Sequence, residues 1–322
     1  MLRISNKAKD IEKIRNCFPS IAYSDLTYLD NAASTQTVDK AIKAVSDYHY
    51  NYRANVHRGD FSTSAKATDL YEQARSSVST LLNCEDFEIA FTSGTTHSVN
   101  IIAEYFRDDN RKVVITEIEH HSNILPWMKT GRNVSNGRLV VVNSSDSGDV
   151  SLDDFAKVLE SNPGSIVSFL TQSNYTGMDL PWKEMVAVAK KHNCEVIIDA
   201  CQTIGHREID LQLNNIDWLV CSSHKMYGST GTGIIFKRGG FSELTGCINL
   251  GGGTASHVDF DNYQLYDNYR KIEAGTPNIA GVHAMGAAAE WIKEIGYKEI
   301  AECEAEFHNM LEEKGLFSIP EL

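Results

Sequence analysis

Short apolar runs alternate along this chain with stretches whose apolar residues recur every three or four positions. The runs Glu88–Thr92, Lys112–Thr116, Arg138–Val142, Ile166–Thr171, Glu195–Asp199, Trp218–Ser222 and Gly233–Phe236 are four to six residues long. Most are rich in Val, Ile and Phe, which predicts strands buried on both faces. Helical spacing covers Val38–Arg53, Ala65–Leu82, Thr95–Phe106, Leu152–Leu159, Trp182–His192 and one long stretch, Gly281–Lys314. Several strands are followed directly by helices. The pattern predicts an α/β fold with a mostly parallel, seven-stranded sheet flanked by helices. No internal repeat or low-complexity segment interrupts it.

Ligands of such sheets bind beyond the carboxyl ends of the strands. The residues after each strand therefore come first. Ser93-Gly94-Thr95-Thr96 opens a helix, and free N–H groups with a helix dipole suit an anion there. The ordinary alternative is a Ser/Thr cap. Glu117 to Asn123 contains His120 and His121, and neighbouring side chains diverge, so only one can line a pocket. Two plain loop histidines remain the alternative. Asn174 follows the fourth run and could bond a ring substituent or simply make a turn. Asp199 closes Val196-Ile197-Ile198, where a carboxylate is costly unless a cation or donor faces it. It could equally cap a helix. Lys225 follows Ser222-Ser223-His224, placing an amine at the same rim, as a nucleophile toward a carbonyl or as a surface lysine. Each feature has a bland reading by itself. In order, the five match what pyridoxal phosphate needs: an anion cradle, a stacking partner, a ring-substituent donor, an acid for the pyridinium nitrogen and an amine for the aldehyde.

Composition narrows the setting. A length of 322 residues favours roughly two domains. The net charge of −13 argues against a nucleic-acid or anionic-membrane binder. No apolar run approaches the roughly 20 residues of a membrane span, and the N-terminus has no secretory apolar segment. Seven cysteines, odd in number and without a CxxC pair, suggest neither a zinc site nor a disulfide framework, and fit a reduced, cytoplasmic setting. From Glu290 onward nine acidic residues face three lysines, which reads as a solvated helix face.

The segments Tyr28-Leu29-Asp30-Asn31-Ala32-Ala33, Asn55-Val56-His57-Arg58-Gly59, Ser93-Gly94-Thr95-Thr96, Glu119-His120-His121-Ser122-Asn123, Asp199-Ala200-Cys201-Gln202, Ser222-Ser223-His224-Lys225 and Glu273-Ala274-Gly275-Thr276-Pro277-Asn278 carry a resemblance. Together they are similar to class-V aminotransferase-fold enzymes, most of all the SufS-like (group II) cysteine desulfurases, which also act as selenocysteine lyases. The resemblance runs from about residue 10 to the chain end. It implies the aspartate aminotransferase-like fold (fold type I), with an N-terminal arm over 1–20 that belongs to a small domain, a pyridoxal-phosphate-binding large domain over 21–280, and a connecting helix leading into a small domain over 281–322.

The resemblance also implies roles. Lys225 resembles the lysine that carries the cofactor, Asp199 the partner of its pyridinium nitrogen, and His120 the ring-stacking residue and a proton shuttle. Gln202 is similar to the donor to the ring hydroxyl, and Asn174 to the asparagine near that hydroxyl and the substrate carboxylate. Thr95, Thr96, Ser222 and His224 resemble phosphate ligands, and Thr276 a phosphate ligand reaching in from a second subunit. His57, Arg58, Asn31 and Ala32 resemble residues around the substrate. The activity so implied converts L-cysteine (or L-selenocysteine) to L-alanine in a homodimer, and passes sulfur through an enzyme persulfide to an acceptor protein for iron–sulfur cluster assembly.

The match breaks at one end. Relatives carry a catalytic cysteine and a carboxylate-clamping arginine in the C-terminal small domain, whereas this chain stops at Ser318-Ile319-Pro320-Glu321-Leu322. None of its cysteines sits in that motif. Cys201 is nearest the cofactor in sequence, and alternation past Asp199 points it elsewhere, as a small buried side chain. The expectation is a truncated desulfurase. The alternatives are an inactive cofactor-binding or dimerising homologue, or another class-V lyase or aminotransferase.

Overall fold

The computed structural model describes residues 6–25, 27–244 and 249–315. Helices are α1 (Asn6–Asn16), α2 (Pro19–Ala22), α3 (Asp39–Asn51), α4 (Ser62–Leu82), α5 (Thr95–Tyr105), α6 (Leu125–Lys129), α7 (Leu152–Glu160), α8 (Trp182–Lys191), α9 (Ile279–Ile295) and α10 (Tyr297–Glu313). Strands are β1 (Ile89–Thr92), β2 (Val113–Thr116), β3 (Leu139–Val142), β4 (Ile166–Leu170), β5 (Glu195–Asp199), β6 (Trp218–Ser222) and β7 (Gly233–Lys237), with a separate hairpin of β8 (Ala255–Val258) and β9 (Tyr263–Leu265). The seven predicted strands of the main sheet all form, with every end within one residue of its expected place.

The sheet order is β1-β7-β6-β5-β4-β2-β3. Only β7 runs against the rest, pairing antiparallel with β1 and β6. The carboxyl ends of β1, β2, β4, β5 and β6 therefore meet at one rim. Alternating side chains fill two cores. Val114, Phe169, Ile198, Leu219 and Ile234 join one, and Ile115, Ile197, Val220 and Ile235 join the other. Period-two side chains on a sheet covered on both faces give this division directly.

α9 packs along α3 and α4. Its Gly286 makes that closeness possible, because a Cβ there would stand 2.5 Å from the Ala74 Cβ. The N-terminal arm joins the same layer: the Phe18 ring meets Trp291 at 5.3 Å and Tyr227 at 5.7 Å. Among the described residues no helix is long and apolar enough to cross a membrane.

One expected element is corrected. Gly281–Lys314 is not one helix but α9 and α10, broken at Gly296, whose φ of 84° lies in the left-handed region. Apolar spacing continues across the break, so periodicity could not register it, and the glycine was the available signal. Tyr297 opens the new direction by donating from its hydroxyl to the Ile204 carbonyl at 2.8 Å. α10 buries no residue and is tied to the body by His206–Glu304 and Arg207–Glu304. The last residues of the segment expected to lead into a small domain, 316–322, lie outside the described residues.

His283 of α9 is an acid-sensitive point in this layer. It is 5% exposed, its ring nitrogens make no well-formed hydrogen bond among the described residues, and Tyr48 and Tyr52 stand against it at 5.6 and 5.8 Å. Burial outweighs the neighbouring Ala67 backbone and pushes its pKa down from 6.5 to about 4. The unfolded chain therefore takes up a proton that the folded chain refuses. Stability from this residue is complete above pH 6.5 and is lost as pH falls toward 4, up to about 3 kcal/mol in all. Urea unfolding at pH 7.5 and pH 5 should show His283→Phe losing less stability between the two than the unsubstituted protein. Equal losses would remove His283 from the account.

Candidate cofactor site

A cavity of about 470 Å³ opens at the shared strand rim, a size suited to a small organic ligand. Each predicted strand-end segment contributes to its wall. After β1, Gly94 turns the chain into α5 with a φ of 143°, a conformation that residues with a Cβ rarely adopt. The start of α5 thereby brings Thr95 and Thr96 to the cavity. Ser222, at the end of β6, braces this turn by accepting from the Thr95 N–H at 2.9 Å and donating to Thr95 Oγ1 at 3.0 Å. Hydroxyls and a helix N-terminus gathered at one end make an anion cradle.

After β2 comes His120. Its Nδ1 accepts from the Ser122 N–H at 3.1 Å, which leaves Nε2 to carry the proton of the neutral ring. Ser122 Oγ in turn lies 2.7 Å from Thr96 Oγ1, joining the histidine turn to the cradle. His120 lines the cavity and His121 does not, as divergence of neighbouring side chains requires. Asn174 follows β4 and also lines the cavity.

Asp199 ends β5 at 6% exposure. Burial pushes its carboxyl up, while the Cys201 N–H at 3.0 Å, the Cys201 thiol, Lys225 and His120 pull it back. A carboxylate placed here at such cost suits a ligand that presents a positive N–H. Lys225 follows β6 in a short 3₁₀ turn, half-buried on the cavity wall, and makes no ion pair among the described residues. Beside it, burial and the Lys225 charge hold His224 below the usual histidine range.

The segment over the rim is residues 30–35. Asp30, Ala32 and Ala33 line the cavity, whereas Asn31, expected there, does not. Gln202 fixes this cover by donating from Nε2 to the Ala32 carbonyl at 2.7 Å. Thr35 fixes it again through the His224 carbonyl, with N–H and hydroxyl at 2.9 and 3.0 Å.

Besides Asn31, the placement of Cys201 differs from expectation. Cys201 turns toward the cavity and not away, because the chain leaves the strand geometry after Asp199 and the alternation ends there. Its Sγ lies 2.8 Å from Thr95 Oγ1. Burial pushes this thiol up to about 12, so it is not a thiolate at neutral pH. His57, Arg58 and Thr276 do not reach Lys225 within the chain. They line a second cavity, of about 160 Å³, that shares no residue with the first. Sequence reading also missed the bracing role of Ser122, whose only signal was its place two residues after His120.

The residues present fit pyridoxal phosphate. A hydroxyl-rich helix N-terminus, a buried acid and an amine lining one cavity match the group's phosphate, pyridinium nitrogen and aldehyde. Comparison with known proteins agrees. The class-V aminotransferase family matches residues 27–322. A cysteine desulfurase of Synechococcus elongatus is 35% identical over 92% of this chain, which spans 49% of that protein. A probable cysteine desulfurase of Ureaplasma parvum is 34% identical over 92% of this chain and 74% of its own length. The apo structure of a cysteine desulfurase from Thermococcus onnurineus superposes with a TM-score of 0.87 at 30% identity, covering 94% of this chain and 76% of that one. The chain thus belongs to the class-V aminotransferase family, in its cysteine desulfurase branch, whose cofactor is pyridoxal 5′-phosphate.

Proposed function

We propose that this chain supplies the cofactor-binding site of a SufS-like desulfurase that converts L-cysteine to L-alanine. The observation that carries this reading is that Lys225 and the buried Asp199 line one cavity. Bound there, pyridoxal phosphate supplies an electron sink for charge developing at the substrate Cα. Thr95, Thr96, Ser222 and His224 hold its phosphate. Asp199 keeps a negative charge against the ring nitrogen, and His120 covers the ring face. Gln202 and Asn174 donate to the ring hydroxyl, and Asn174 also reaches the substrate carboxylate. Lys225 Nζ carries the cofactor and then takes the Cα proton. Ala32, with Asn31 beside it, closes the entrance.

An enzyme cysteine thiolate attacks the substrate sulfur, and the sulfur–carbon bond breaks with its electron pair going to the carbon that becomes the alanine methyl. The persulfide so formed passes sulfur to an acceptor protein for iron–sulfur cluster assembly, in the cytoplasm. Cys201 does not serve as that nucleophile, because attack needs a thiolate and its thiol stays protonated. In our reading the enzyme is a homodimer. His57, Arg58 and Thr276 line a cavity separate from Lys225, which supports their serving the partner's site and not their own.

Adding L-cysteine to the cofactor-loaded protein tests this reading. The visible absorbance of the bound cofactor should change as the amino acid displaces Lys225, and D-cysteine should leave it unchanged. An absorbance indifferent to L-cysteine would overturn the assignment.

A further inference from the structure

The buried carboxylate of Glu119 sits beside the histidine that covers the cofactor. β2 and β4 pair only at Val113–Ile166 and Val114–Val167, although β2 and β3 pair through Thr116–Val142. The ladder opens toward the rim. Ile166 N–H still donates in register to the Lys112 carbonyl, but Leu170 N–H, four residues on and on the same edge, donates to Glu119 at 3.0 and 3.2 Å. Glu119 fills the opening. It also accepts from the Thr116 hydroxyl and from Asn123 Nδ2 at 2.8 Å. Asn123 passes the contact on, accepting from Ser168 Oγ at 2.6 Å. Glu119 is 7% exposed, and Thr116, Asn123 and Ser168 are fully buried.

This wedge lies on both sides of His120 in the chain, with Glu119 immediately before it and Asn123 three residues after. Every partner of the carboxylate is a donor, so its two oxygens are saturated in one orientation. Burial pushes its pKa up to about 7, a cost with no other visible return in the fold. An apolar residue of similar size would close the gap but leave Leu170 N–H and Asn123 Nδ2 without acceptors.

We propose that Glu119 is a positioning residue: by bridging the opened ends of β2 and β4 and clamping Asn123, it fixes the turn that holds His120 over the cofactor ring. The proposal rests on His120 covering the ring, as in the function proposed above. Glu119 touches neither cofactor nor substrate and acts only through His120.

A double-mutant cycle on cofactor-loaded protein tests it, read by visible circular dichroism of the bound cofactor and by its dissociation rate. Glu119→Ala and His120→Ala should each weaken the visible dichroism and speed cofactor loss, by about fivefold to tenfold. Together they should do no more than His120→Ala alone, to within about twofold. Glu119→Gln should restore most of the signal, since the Thr116 hydroxyl can turn to accept while the Asn123 and Leu170 bonds persist. If Glu119→Ala does not fold, Asn123→Ala takes its place in the cycle. Effects that multiply in the double variant, or an unchanged dichroism in Glu119→Ala, would overturn the proposal. A protein that gains no visible absorbance with pyridoxal phosphate before any substitution would instead overturn the function on which it rests.

Discussion

Lys225→Ala should remove the absorbance band of the lysine-bound cofactor, leaving only that of the unbonded aldehyde, and lower any turnover of L-cysteine by about a thousandfold or more. The size follows from two duties on one nitrogen. In the proposed function Lys225 both carries the cofactor and takes the Cα proton. His120 also faces the cavity, but its ring is engaged through Nδ1 with the Ser122 N–H, and its proposed place is over the ring face. Asp199, Ser222 and Thr95 remain in place in the variant, so cofactor can still enter, held by its phosphate and not by a covalent bond. Absorption and mass spectra of the reconstituted variant check this. A variant that keeps the lysine-bound band would assign the covalent bond to another lysine.

The second large effect is on stability. Arg75→Ala should cost about 3–5 kcal/mol, because it leaves a buried carboxylate without its cation. Arg75 is 1% exposed and holds Glu273 with two nitrogens at 2.8 and 3.1 Å, Glu72 at 2.9 Å and the Ile89 carbonyl at 2.7 Å. Its guanidinium lies 3.6 Å from the centre of the Tyr269 ring. Glu273 also accepts from the Tyr71 hydroxyl at 3.0 Å and the Phe91 N–H at 2.8 Å. The pair therefore ties α4 to β1 and to the loop carrying Thr276. Urea unfolding measures the loss. Glu273→Gln should lose less than Arg75→Ala, since the amide keeps part of the network without a stranded charge. A loss below about 1 kcal/mol for Arg75→Ala would show that water or a rearranged neighbour replaces the guanidinium.

The strands and the strand-end residues were legible in the sequence for one physical reason. A sheet buried on both faces writes continuous apolar runs, and the polar residues that end them at a shared rim are conspicuous. Thr95, Asp199 and Lys225 were found that way. What periodicity could not register was any feature set by long-range geometry. Gly296 breaks a helix whose apolar spacing continues across it. Cys201 turns inward because strand alternation stops at Asp199. The separation of Thr276, His57 and Arg58 from Lys225 depends on how the chain folds, and the family resemblance anticipated it for Thr276 alone. Arg75 and Glu273 lie 198 residues apart, and no local pattern marks them as a pair. Glu119 read as part of a motif, and its purpose emerged only with the opening between β2 and β4.

The central claim is that pyridoxal phosphate occupies the rim cavity and is carried by Lys225. Loading the protein with pyridoxal phosphate, fixing the bond with borohydride and locating the added mass by peptide mass spectrometry tests this most directly. The added mass should fall on the peptide containing Lys225 and on no other. A protein left unmodified, or marked on a different lysine, would contradict it.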